Sequence, residues 1–188
     1  MFKEIKQAIA FTVITLSLFG GGYHAVLWAI GRTVFPAQTE GSLIRRSDGT
    51  IVGSHLIAQK FARPEYLQPR PSAVDYNAAS TGGTNYGPSN PDHLEAVNER
   101  LTAIEEQESV TAAQVPSEMV TASGGGLDPD IPPAAAELQA PRVARARGTS
   151  LERVRELIAA RTKPPALGFI GRARVNVLEL NLALDAAR

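Results

Sequence analysis

The sequence predicts a single N-terminal transmembrane helix followed by an α+β (mixed α/β) soluble domain with a small sheet and about three helices. Two observations carry this. Residues 8–30, AIAFTVITLSLFGGGYHAVLWAI, contain no acidic or basic side chain apart from His24, whereas everything after Arg32 is polar enough to fold in water. Short β-type runs then lie toward either end of that polar part, with helical patterns between them. The division expected is residues 1–7 as a short N-terminal tail, 8–30 as the span and 31–188 as the soluble domain.

At the helical rise, residues 8–30 reach roughly 34 Å, enough to cross the hydrocarbon core with some tilt. Only a helix satisfies each backbone N–H and C=O in lipid. The run exceeds the roughly 7–15 residues of a signal-peptide core and no small-x-small cleavage site follows, so a retained span is expected. Lys3 and Lys6 favour a cytoplasmic N-terminus, but Arg32, Arg45 and Arg46 on the other flank bring the count close to even. Ser17, Gly21, Ala25 and Ala29 recur every four residues and place small side chains on one face, a geometry that lets another helix approach closely; chance produces such a stripe too. Trp28 suits an interfacial anchor, with His24 one turn before it.

Leu43-Ile44, the Asp48-Gly49 turn and Thr50-Ile51-Val52 read as a hairpin that His55 to Gln59 continues. Residues 61–91 hold five prolines and three glycines and read as a long loop, which Tyr66, Tyr76 and Tyr86 mark as ordered and interacting. A helix starts near Pro91 with Asn90 as cap and Leu94, Val97, Leu101 and Ile104 as its apolar stripe. Residues 115–133 read as irregular. Residues 134–147 are helix-prone but should kink or break at Pro141. Gly148 stops that helix, Thr149 or Ser150 caps the next, and Leu151, Val154, Leu157 and Ile158 form its buried face. Leu178, Leu180, Leu182 and Leu184 alternate with polar or small residues as in a half-buried strand, although Leu178, Asn181, Leu182 and Asp185 also fit a helix.

Lys plus Arg and Asp plus Glu both number 19, so no global field draws in nucleic acid. The absence of cysteine excludes disulfides and thiol catalysis, and three histidines make a poor zinc set. The glycine stretches 80–85 and 123–129 offer backbone N–H groups but lack the Gly-Lys-Ser/Thr ending of a phosphate loop. Asp128 and Asp130 read as a cation pair, as paired carboxylates, or as the start of a helix; the helix start is favoured. The arginines at 142, 145, 147, 153, 155 and 161 form a basic region that reads as a contact for nucleic acid or anionic lipid, or as a solvated or internally paired surface; the last is favoured because Glu152 and Glu156 interrupt it. No catalytic residues and no metal site are expected.

Longer blocks carry a resemblance. Gly53 to Gln59, Arg70-Pro71-Ser72-Ala73, Tyr76-Asn77, Gly82-Gly83-Thr84-Asn85, Gly87 to Pro91, Ser123 to Pro129, Gln139, Arg142-Val143-Ala144, Ala146-Arg147, Val175 to Leu178 and Leu180 to Asp185 together resemble the potassium-transporting ATPase C subunit, the KdpC family. The family more often has Gly at Ala58, Ser at Gly125 and His-Ile-Ser at Asp130-Ile131-Pro132. The resemblance implies a non-catalytic subunit of a high-affinity, ATP-driven potassium uptake complex in a bacterial inner membrane, with the N-terminus cytoplasmic and the main domain periplasmic. Its partners would be a channel-like potassium-translocating subunit, a P-type ATPase subunit and the lipid bilayer. Its role would be assembly, and a catalytic chaperoning that raises the ATPase subunit's affinity for ATP. No cofactor is expected to bind tightly to this chain; ATP belongs to the complex, and the few residues before Ala8 offer no phosphate cradle. The expected helix contact is Ser17, Gly21, Ala25 and Ala29. The expected docking loops carry Arg70, Pro71, Ser72, Tyr76, Asn77, Gly82, Gly83, Asn85, Ser123, Gly124, Leu127 and Asp128. Two other classes stand beside this one: a tethered cation-binding protein, or a periplasmic hydrolase using Asp128 with a loop histidine.

Overall fold

A computed structural model describes residues 1–46 and 48–187. The chain divides into two units, Met1–Leu43 and Ile44–Arg188.

The first unit is built on one unbroken helix, Phe2–Val34, of 33 residues, long and apolar enough to cross a membrane. It runs as α1 (Phe2–Thr15), a π-helical segment (Leu16–Gly22) and α2 (Tyr23–Val34). The wide turns fall where Gly20, Gly21 and Gly22 remove side-chain crowding. His24 Nδ1 meets the Phe19 carbonyl at 2.9 Å, a polar contact five residues back. Ser17 and Gly21 lie in the π segment, Ala25 and Ala29 on α2, and a Cβ on Gly21 would meet open space. A short α3 (Pro36–Thr39) follows; Gly31 admits it, since a Cβ there would stand 2.8 Å from Thr39 Cγ2.

The second unit begins within the predicted hairpin, one residue into β1 (Leu43–Arg45), which pairs with β2 (Ile51–Ser54). Its turn is closed by Arg46 N–H on Thr50 O at 2.9 Å and Thr50 N–H on Asp48 Oδ1 at 2.8 Å. The strand stops at Ser54 and does not continue through Gln59. Ser54 Oγ accepts the Leu56 N–H that a ladder would have used. No helix or strand is assigned from there to α4 (Pro91–Glu108), which starts as predicted: Asn90 Oδ1 accepts the Asp92 N–H at 2.8 Å. Along its stripe Leu94 is exposed, while Ile104 packs on the core.

The segment read as irregular contains α5 (Ser117–Val120) and β3 (Asp130–Ile131). Asp128 and Asp130 therefore do not open a helix. α6 (Pro133–Arg147) begins after Pro132 and passes through Pro141 without a break. Losing that one bond costs about 3 kcal/mol. The burial of Ala135, Ala136, Gln139, Ala140, Arg142, Val143 and Ala144 offsets it. Gly148, at φ 64°, ends α6, and Ser150 caps α7 (Leu151–Arg161), as predicted.

β4 (Thr162–Lys163) and β5 (Arg174–Asn176) complete a three-stranded antiparallel sheet ordered β3-β5-β4. Ile131 pairs with Val175, and Val175 with Thr162. The leucines read as a strand form α8 (Val177–Ala186) instead. Asn176 Oδ1 accepts the Glu179 N–H at 3.0 Å, ending β5 and starting the helix, whose buried positions Val177, Leu178, Leu180, Asn181 and Leu184 follow a helical period. The core joins the alanine face of α6 to Val154 and Ile158 of α7, Leu180 and Leu184 of α8, and Ile131 and Val175 of the sheet. One side chain from the long loop, Leu67, is fully buried among them.

Candidate docking site built by clamped loops

Leu67 drags five consecutive residues of the loop against the helices, and their main-chain groups are satisfied by side chains. Leu67 N–H donates to Asn181 Oδ1 at 2.9 Å, and Asn181 Nδ2 donates to Leu67 O at 3.0 Å. Gln68 is held the same way: its N–H reaches Gln139 Oε1 at 2.8 Å, and Gln139 Nε2 reaches its carbonyl at 3.1 Å. Each carboxamide thus stands in for a neighbouring strand. Arg142 donates to the Tyr66 and Pro64 carbonyls, while its Nε pairs with buried Glu108 at 2.8 Å. Arg147 donates to Glu65 O at 2.7 Å and to Asp185 Oδ1 at 2.9 Å, beneath the Tyr66 ring. The loop is therefore irregular but rigid.

Beyond this clamp, the two glycine stretches meet. Gly82 N–H donates to Gly125 O at 3.2 Å, and Ser123 N–H to Pro71 O at 3.0 Å. A Cβ on Gly83 would stand 2.6 Å from Gly124 O, so the backbones touch where only glycine fits. Gly126, at φ 72°, has Val74 and Gly82 in the space a side chain would need. Arg70 Nη1 pairs with Asp128 Oδ2 at 3.1 Å, and Tyr76 Oη donates to Arg70 O at 2.9 Å. Burial pushes the Tyr76 phenol upward, with the Asp75 charge adding to it, so the donor stays protonated. Ser72 Oγ accepts the Val74 and Tyr76 N–H groups.

Arg70, Pro71, Ser72, Tyr76, Gly82, Gly83, Ser123, Gly124 and Asp128 thus converge, and Leu127 O ties Ala58 N–H beside them at 2.9 Å. Asn77 and Asn85 serve local turns, through Ala79 N–H and Gly83 O. Ser17, Gly21, Ala25 and Ala29 belong to the first unit. Gln139, Asn181, Arg142 and Arg147 are the working residues that a reading of loops alone passes over. For Gln139 and Asn181 the signal is an amide inside an otherwise apolar stripe.

A cleft of about 250 Å³ lies at the glycine junction, lined by Gly83, Asn85, His93, Arg100, Ser123 and Gly124. That is below the roughly 300–1,000 Å³ of an ordinary small-molecule site. Among the described residues no group of three or more His, Asp or Glu stands ready for a metal ion. Asp128 Oδ1 takes the Asp130 N–H while Oδ2 faces Arg70, and Asp130 pairs with Arg174 at 3.1 Å. His55 Nδ1 lies 2.7 Å from Glu179 Oε1, far along the chain from Asp128.

Two carboxyls give the domain opposed acid responses. Burial raises Glu179, but hydrogen bonds from Lys163 and His55 outweigh it and hold the carboxyl below its usual value. Its stabilisation is therefore present above about pH 4.3 and lost as pH falls through the lower folded value. Burial, with help from the Asp128 charge and against Arg174, pushes Asp130 up. That contribution favours folding at low pH and is lost as pH rises through the raised value. Glu179→Gln should lower the urea midpoint at pH 7 but not at pH 3, and Asp130→Asn should raise it at pH 7. Denaturation curves at both pH values check this.

The sequence profile described as "KdpC: K+-transporting ATPase, c chain" matches residues 5–186. The "Potassium-transporting ATPase KdpC subunit" of Geobacter sulfurreducens is 50% identical over 186 residues, covering 97% of this chain and 97% of that protein. Proteins of the same description from Geotalea uraniireducens and Polaromonas naphthalenivorans are 47% and 51% identical, covering 97% and 96% of this chain and 97% and 92% of their own lengths.

Proposed function

The chain belongs to the KdpC family, and from that premise we propose that it is the non-catalytic subunit that joins the channel-like and P-type ATPase subunits of a potassium uptake complex. The single observation that carries the reading is the clamp on residues 64–68. A domain that spends buried arginines and carboxamides on holding an irregular loop still is built to present a surface, as recognition loops on rigid scaffolds are. The apolar helix is the membrane anchor, with the N-terminus cytoplasmic and the domain periplasmic in a bacterial inner membrane. The loops carrying Arg70, Tyr76, Gly83 and Asp128 dock on the outer face of the channel-like subunit.

On this topology ATP and the domain lie on opposite sides of the membrane. The rise in ATP affinity then passes through the partners: preferential binding to one conformation of the complex shifts its population. A photoreactive ATP analogue should leave the isolated chain unlabelled, and labelling without the ATPase subunit would overturn the indirect route. Because cysteine is absent, Ser89→Cys reports topology without background; modification by an impermeant thiol reagent from the periplasmic side is the expected result.

Gly21 is the helix-contact test. Its missing Cβ opens a space on the π-helical turn, and close packing between helices in lipid depends on such small residues. Gly21→Leu should reduce co-purification of this chain with the two large subunits several-fold while the soluble unit keeps its urea midpoint. Unchanged stoichiometry would reduce the helix to a tether.

A further inference from the structure

Among the described residues of the second unit, the turn between β4 and β5 is the one place where consecutive large apolar side chains face outward. Leu167 is 83% exposed, Phe169 78% and Ile170 52%. They are not on a loose segment. Ala166 and Ile170 exchange two backbone hydrogen bonds of 2.9 Å, and Gly168 N–H and Phe169 N–H close the turn on Pro165 O and Ala166 O. Leu167 sits at φ 53°, followed by Gly168 at 84°. Asn or Gly enters that left-handed region easily, whereas a branched apolar residue pays for it. A tight turn that holds a leucine at its tip against local preference, with an aromatic beside it, is shaped to enter something apolar.

The stem below the tip is basic on its outside. Arg172, Arg174 and Lys163 pair with Glu118, Asp130 and Glu179, but the two members of each pair lie at different depths. The cationic side chains are 88%, 49% and 49% exposed and the carboxylates 27%, 28% and 13%. Arg161 ends α7 just before this stem and is exposed as well. An approaching surface meets apolar side chains first and a ring of cations behind them. That is the order of an interfacial anchor, with acyl chains at the tip and lipid phosphates at the collar.

The stem also sits where the chain enters the domain. Lys163 Nζ and His55 Nδ1 both meet Glu179 Oε1, at 2.9 and 2.7 Å. His55 directly follows β2, whose partner β1 lies where the second unit begins, separated from the end of the membrane-length helix at Val34 by eight residues that include α3. Exposed Leu56 adjoins it in the chain. The covalent link keeps this end of the domain at a high effective concentration near the bilayer, so a contact too weak to recruit a free protein suffices here.

The geometry points to a second, shallow membrane attachment: Leu167, Phe169 and Ile170 insert at the headgroup boundary, and Arg172, Arg174 and Lys163 meet anionic lipid phosphates. It takes from the proposed function only that the N-terminal helix lies in a bilayer. The test uses the full chain in vesicles of phosphatidylcholine and phosphatidylglycerol carrying spin-labelled lipid. Trp28, the sole tryptophan, first reports insertion of the helix; if it is not quenched, the membrane anchor itself fails. In a chain carrying Trp28→Phe and Phe169→Trp, the indole at position 169 should be quenched at least twofold by shallow labels and shielded from iodide. Quenching should fall in phosphatidylcholine alone and on Arg172→Glu with Arg174→Glu. Leu167→Asn, which suits the left-handed position, should weaken quenching while leaving the urea midpoint equal or higher. In the unsubstituted chain, tryptic cleavage after Arg172 should be slower in the anionic vesicles than in phosphatidylcholine. Full iodide access at position 169 with no lipid quenching, or protection that arises only when the large subunits are added, overturns the proposal; the second outcome assigns the turn to a protein contact.

Discussion

Asn181→Leu is expected to lower the stability of the soluble unit by about 2–6 kcal/mol, because it orphans two buried backbone groups at about 1–3 kcal/mol each. Both groups belong to Leu67, which is itself fully buried, so the loop has no route to water without pulling its anchor from the core. Against a total of about 5–15 kcal/mol, this is enough to unfold a large fraction of molecules or to release the loop locally. Urea denaturation by circular dichroism measures the first outcome. Hydrogen exchange confined to residues 61–76 identifies the second. In the complex, either outcome should cut recovery of the subunit with its partners. A variant as stable as the parent, with an unchanged loop, would show that Asn181 fills space and does not hold the backbone.

Glu108→Ala is expected to cost about 3–5 kcal/mol by leaving Arg142 charged and unpaired in the interior. Arg142 is the junction of three elements: it pairs with Glu108 on α4, donates to Gln139 Oε1 on its own helix, and reaches the Tyr66 carbonyl in the loop. Glu108→Gln retains an acceptor and should cost less. The pair Glu108→Leu with Arg142→Met removes both charges, yet should remain below the parent, since the Pro64 and Tyr66 carbonyls lose their donor. Urea midpoints of the three variants rank these effects. Full recovery in the double variant would mean that the guanidinium's loop contacts contribute nothing.

What could be seen in the chain beforehand was whatever local chemistry decides. Asp48-Gly49 announces its hairpin, Asn90-Pro91 its helix start, and Gly148 with Ser150 the break between α6 and α7, because each acts on main-chain groups a few residues away. The same logic was available at Asn176, yet alternating leucines obscured it: positions 178, 180, 182 and 184 satisfy a two-residue period by composition, while burial also takes in Val177 and Asn181, next to Leu178 and Leu180, and leaves Leu182 only partly covered, as a helix face does. Pro141 misled in the opposite sense. Its local penalty is real, but the alanines packed around it outweigh it. The glycine stretches were recognisable as turns, but not as each other's partner. The clamp was the least legible feature, since nothing near Leu67 or Gln68 hints at acceptors 114 and 71 residues onward.

Those separations order events in time as well as in space. During synthesis, the loop emerges long before α6 and α8, and the ribosome must deliver 114 further residues before Leu67 meets Asn181. The long apolar helix is finished first and the clamped loop last. A product cut short before Asn181 would carry the apolar helix yet leave Leu67 without its clamp, so any association that depended on the clamped loop would discriminate chains that include α8 from those that stop before it, with no separate proofreading step.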